Sequence, residues 1–140
     1  MALAMNKSAL ANFMAAEFPQ VAADFDILDV DEMTVRVRLN VDDRHLRPGG
    51  TISGPSMFAL ADVSIYLAVL AMIGPKALAV TTNISMDFMR KPAAGSDLTC
   101  EARLLKLGRS LAVGDCLIFS EGEAAPVARA SMTYAIPPER

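Results

Sequence analysis

Residues 57–73 carry only two clearly polar side chains, Asp62 and Ser64, and they follow the segment Gly49-Gly50-Thr51-Ile52-Ser53-Gly54-Pro55. A helix that is apolar on every side has no face to give to water, so the rest of the chain must enclose it. An ionised carboxylate inside such a helix is costly unless it is hydrogen-bonded or paired, which sets Asp62 apart from what packing alone would select. Pro55 suits the first helical turn, where its missing N–H would have had no partner anyway, and Gly74-Pro75 stops the run. The pattern predicts a central helix over 55–73. It is slightly short for a bilayer and holds an acid near its middle, so it is expected to be the core helix of a soluble, cytoplasmic protein.

The flanking sequence supplies what would surround that helix. A short N-terminal helix is expected within 1–20, capped by Asn6 or Ser8, with Leu10, Phe13, Met14 and Phe18 on one face and Pro19 ending it. Apolar and polar residues alternate from Met33 to Val41, as in a strand with one buried face. Residues 42–53 hold the charges, Pro48 and two glycines of a loop. Further strands are expected over 24–30, 78–88, 98–107, 111–120 and 128–136. In the second of these, Leu78, Val80, Ile84, Met86 and Phe88 share one face; in the third, the phase flips at Leu105, implying a bulge. The 140 residues thus form one α+β domain, an antiparallel sheet curled round a single long helix.

Composition removes several functions. The net charge is −3, no basic cluster exceeds Arg90-Lys91, and aromatic residues make up 6%, which leaves neither a cationic footprint nor a stacking platform for nucleic acid. Cys100 and Cys116 fall in strand segments and are expected as buried free thiols. His45 stands alone in a charged loop, where a surface role is expected and no metal site can be built. Asn12 and Glu17 interrupt the only candidate secretory segment.

The run Gly50-x-x-Ser53-Gly54-Pro55-x4-Leu60-Ala61-Asp62 resembles the signature of the PaaI-like (phenylacetate-degradation) and 4-hydroxybenzoyl-CoA thioesterases, Asn-x-x-Gly-x-x-His-Gly-Gly-x4-Leu-Ala-Asp/Glu. Gly50, Gly54, Leu60, Ala61 and Asp62 match. The similarity continues through Asn83-x4-Phe88-Met89-Arg90-Lys91-Pro92 and Leu107-Gly108-Arg109, covering about 25–136. Arg47, Ser53 and Pro55 replace the family's Asn, His and second Gly. The resemblance implies the hotdog fold, an acyl-CoA thioesterase, and no metal or cofactor beyond the coenzyme A of the substrate. It also implies a homodimer, or a dimer of such dimers, whose sites form between antiparallel central helices.

Thioester hydrolysis needs a base or nucleophile and a donor for the developing oxyanion. Asp62 is the candidate for the first role. The Gly54 N–H, at a helix N-terminus, is the candidate for the second, since Pro55 has none to offer. Eight residues separate them, roughly 12 Å along one helix, so one carbonyl group cannot touch both unless they come from two chains. Tyr66 shares the Asp62 face and could orient the acid or a water; Ser64 lies off it and is expected to bond the helix backbone. Arg47, Ser53, Pro55 and Asn83 are candidates for the pocket, Arg90, Lys91, Lys106 and Arg109 for the CoA phosphates, and Met57, Met86 and Met89 for the acyl group. Each also has a plainer reading: Asp62 as a loop anchor, Gly54 as a close-packing residue, the cations as solvated charges. The three departures motivate an alternative function, an acyl-CoA binding module that does not hydrolyse.

Overall fold

The computed structural model describes residues 2–138. Helix α1 (Lys7–Glu17) starts where Asn6 Oδ1 accepts from the Ala9 N–H at 2.9 Å, and buries Leu10 and Met14. Helix α2 (Gly54–Ile73) starts one residue earlier than expected, with Ser53 as its N-cap, Pro55 in its first turn and Gly74 (φ 93°) ending it. The described residues also form two short 3-10 turns (Ala22–Asp24 and Asp43–His45) and six strands: β1 (Phe25–Asp31), β2 (Thr34–Leu39), β3 (Val80–Phe88), β4 (Leu98–Leu107), β5 (Leu111–Ser120) and β6 (Ala128–Ala135). They form one antiparallel sheet in the order β1-β2-β4-β5-β6-β3.

The sheet curls round α2, which is long and apolar enough to cross a membrane by length and composition, but has 67% of its most apolar stretch buried inside the fold. Val35, Val37, Leu39, Leu98, Cys100, Ala102 and Ile118 turn inward on to it. The contact is close: a Cβ on Gly114 would lie 2.8 Å from the Arg103 carbonyl and 3.0 Å from Ile65 Cδ1, so glycine lets the helix settle on β5. Cys100 and Cys116 are free and buried there, and burial holds the Cys100 thiol well above its usual range.

The predicted bulge in β4 is present between Leu104 and Lys106. A second bulge, between Thr81 and Asn83, was not predicted and corrects the face assigned to β3. Before it the inward residues are Ala79 and Thr81; after it they are Ile84 and Met86. Leu78 and Val80, expected on the buried face, are instead 77% and 53% exposed. One extra residue in a strand reverses every side chain beyond it, and here that reversal turns Thr81 towards α2.

Candidate active site

Asp62 lies two turns inside α2, partly buried, and is held from two strands. Thr81 of β3 donates its hydroxyl to Asp62 Oδ1 at 2.5 Å. Tyr134 of β6 has its hydroxyl in hydrogen-bonding contact with the same Oδ1, and 2.7 Å from the Asp62 carbonyl oxygen. Burial and then the Asp62 charge push the Tyr134 phenol far above its ordinary value, so it remains a donor. Both hydroxyls converge on one oxygen, and Oδ2 has no side-chain donor among the described residues. A carboxylate fixed by one oxygen and bare at the other can accept a proton or attack a carbonyl carbon. Asp62 lines two clefts, of about 220 and 340 Å³, the second of which reaches Ser53, Pro55 and Ser56 at the start of α2.

At that start, the first-turn donors are largely spoken for. Ser53 Oγ accepts from the Ser56 N–H at 3.3 Å, the Ser53 carbonyl accepts from Met57, and Pro55 has no N–H. The Gly54 N–H is left without an intrahelical acceptor at the positive end of a twenty-residue helix. Ser53, at the family's His position, uses its side chain as the cap and also bonds Ser56 Oγ at 2.9 Å. A Cβ on Gly54 would touch the Phe88 ring at 3.4 Å, an ordinary contact.

The remaining candidates divide. Tyr66, expected to orient the acid or a water, instead donates to the Ala77 carbonyl at 3.1 Å and offers its ring to the smaller cleft; Tyr134 is the tyrosine on Asp62. Ser64 bonds the Leu60 carbonyl at 2.7 Å, as expected. Arg47 is exposed in a tight loop whose backbone closes on Thr51 and has no ion-pair partner among the described residues. Asn83 is exposed next to the β3 bulge, Arg90 donates to the Pro126 carbonyl at 2.6 Å, and Lys91, Lys106 and Arg109 are exposed.

His45 corrects the surface reading. It is 8% exposed, its Nδ1 accepts from the Asp42 N–H at 2.8 Å, and its Nε2 lies 3.6 Å from Asp24 Oδ2. Burial, then Arg44, lowers its pKa, so it serves as a neutral cap in the loop leading to α2. No group of three His, Cys, Asp or Glu that could hold a metal comes together among the described residues.

Sequence reasoning missed Thr81 and Tyr134. Tyr134 lies 72 positions from Asp62, and Thr81 reaches it only through a bulge; the one available signal was that a buried acid must find donors somewhere.

Residues 49–127 match the family model of the thioesterase superfamily. A candidate thioesterase from a Silicibacter species is 61% identical, with 99% of this chain and 96% of that one covered at a TM-score of 0.92. A variant of the phenylacetic acid degradation protein PaaI from Thermus thermophilus is 28% identical (85% and 99% covered, TM-score 0.72). A Streptococcus mutans protein crystallised with acetyl CoA is 26% identical (83% and 90% covered, TM-score 0.71). The chain belongs to the thioesterase superfamily, and its sheet curled around one long helix is the hotdog fold.

Proposed function

We propose that the protein is an acyl-CoA thioesterase whose site is shared between two copies of the chain, Asp62 from one and the Gly54 N–H from the other. The observation that carries this is the Asp62 carboxylate, clamped at Oδ1 by Thr81 and Tyr134, with Oδ2 free of side-chain donors among the described residues and the residue itself lining two clefts. Oδ2 takes a proton from the attacking water, or attacks the carbonyl carbon itself. With water as the nucleophile, the C–S bond then breaks, the acyl group leaves as the acid, and coenzyme A leaves as the thiol with the proton taken up by Oδ2. With Asp62 as the nucleophile, the C–S bond breaks to give an acyl-Asp62 anhydride and coenzyme A thiolate, and water hydrolyses the anhydride, releasing the acid, restoring the carboxylate and supplying the thiol's proton. The partner's Gly54 N–H stabilises the oxyanion formed in between.

The fold favours a homodimer. Strand β3 is a nine-residue sheet edge without proline or lysine, and Val80 and Phe88 on it are each 53% exposed. Such an edge invites pairing with a second chain. Phe58 on α2 is 39% exposed, midway between positions 54 and 62. Two α2 helices packed antiparallel about residue 58 set position 62 of each against position 54 of the other, as a two-fold contact requires.

The acetyl-CoA complex of the Streptococcus mutans relative supports a CoA thioester as ligand. Lys91, Lys106 and Arg109 are the free surface cations for its phosphates, with Arg90 held closer by its backbone bond. Asn83 and Arg47 are exposed and line neither cleft at Asp62, and this reading gives them no contact with the acyl group. A second reading, acyl-CoA binding without hydrolysis, is favoured by one observation: the residue at the family's His position, Ser53, is occupied as a helix cap.

A panel of acetyl-, hexanoyl-, phenylacetyl- and palmitoyl-CoA with detection of released thiol separates the two. Turnover of any member supports hydrolysis. CoA-ester binding by calorimetry without thiol release supports the second reading, and neither would end both. Within the first reading, Tyr134→Phe is expected to lower kcat about tenfold with little change in KM, because the loss of one hydrogen bond to Oδ1 loosens the acid without removing it. Steady-state kinetics check this; an unchanged kcat would remove Tyr134 from the clamp.

A further inference from the structure

The smaller cleft beside Asp62 is bounded by segments that the family match does not include. It measures about 220 Å³ and is lined by Met14, Phe18, Val21, Tyr66, Val80 and Tyr134 around Asp62 and Thr81. Met14, Phe18, Val21 and Tyr134 all lie outside residues 49–127. Phe18, just past the end of α1, meets Tyr66 edge-on, with ring centroids 5.6 Å apart at 90°, and Tyr66 lies 6.2 Å from Tyr134. Both tyrosine hydroxyls are already engaged, one by the Ala77 carbonyl and the other by Asp62. The walls therefore present rings and methyl groups, and the polar atoms collect at one place, the Asp62–Thr81 pair. A ligand suited to this cleft is apolar along its body and polar only where it meets Asp62.

We infer that this cleft receives the acyl group of the substrate, and that Phe18 is the residue that limits its length. The inference rests on the thioesterase reading for the identity of the ligand. The cleft is the smaller of the two at Asp62, about 220 Å³ against 340 Å³, and Phe18 stands behind Tyr66 and Tyr134 as seen from the acid. The class of substrate is a compact acyl thioester, short-chain or carrying a single ring, and not a long-chain fatty acyl-CoA. The end of the N-terminal helix, through Met14 and Phe18, is then a specificity element of this site.

Isothermal calorimetry with S-hexyl-CoA and S-dodecyl-CoA tests this on the full chain. These thioethers are not hydrolysed, so the readout does not depend on turnover. The native protein is expected to bind the hexyl compound at least about tenfold more tightly than the dodecyl one, the scale on which an apolar pocket discriminates by size. Phe18→Ala is expected to narrow or invert that ratio. Phe18→Trp, which cannot fail by opening a void, is expected to weaken the hexyl compound about tenfold while leaving S-methyl-CoA unchanged. Equal affinity of the native protein for both chains, or an unchanged ratio in both variants, would overturn the inference and leave the thioesterase reading standing on its own turnover panel. A ratio that shifts as expected in a protein that releases no thiol would retain the acyl cleft and discard hydrolysis.

Discussion

Asp62→Asn is expected to lower kcat by about three orders of magnitude or more, a loss of about 4 kcal/mol in transition-state stabilisation. The substitution is close to isosteric, and the site dictates how it will sit. Thr81 and Tyr134 both present hydroxyl donors to Oδ1, so the amide oxygen takes that position and the amide nitrogen replaces Oδ2. The clamp and the fold are retained, and the one atom able to accept a proton or attack carbon is exchanged for a donor. KM and the thermal unfolding midpoint are expected to stay near those of the native protein. Turnover by Asp62→Asn at the native rate would show that this acid is a structural anchor and nothing more.

Gly54→Pro is expected to cost about 10²- to 10³-fold in kcat, the range found when one oxyanion donor is removed. Proline at this position deletes the N–H. Because Pro55 follows, it also places a Cβ where the next proline ring disfavours helical backbone, a cost that Gly54→Ala shares and so controls for. Gly54 is the first residue of α2, where proline is well tolerated. Ser53, before it, already has the extended backbone that proline imposes on its predecessor, with φ −73° and ψ 151°. The added ring atoms start from a Cβ in ordinary contact with Phe88. Circular dichroism and the dimer's elution volume check that the fold survives in both variants. Gly54→Ala keeps the N–H and is expected to retain most of the activity; equal losses in the two variants would point to crowding and away from a lost donor.

The central helix was legible because nothing else satisfies a long stretch without a polar face, and β2 because its alternation is strict from Met33 to Val41. Strand β3 was only half legible. Thr81, Thr82 and Asn83 are three small polar residues in a row, and alternation cannot tell which of them is the extra one in a bulge. That ambiguity concealed the residue that reaches Asp62. The other clamp, Tyr134, was hidden for a different reason: hydrogen bonds between side chains far apart in sequence depend on strand order, and β6 neighbours β3 only in the folded sheet. His45 was misplaced because charge around a residue says little when its own backbone and ring close a cap. The exposed apolar residues of β3 have their explanation, in the proposed dimer, outside any single chain.

The most direct test of a site built from two chains is complementation between Asp62→Asn and Gly54→Pro. Each variant alone is expected to be nearly inactive. When the two are co-expressed with different tags and the mixed dimer is isolated, one of its two sites carries both substitutions and the other carries neither. The mixed dimer should recover about half the native activity per dimer, as the two-fold arrangement requires. If Asp62 and Gly54 served the same site within one chain, both sites of the mixed dimer would be defective, and a mixed dimer as inactive as its parents would contradict the account.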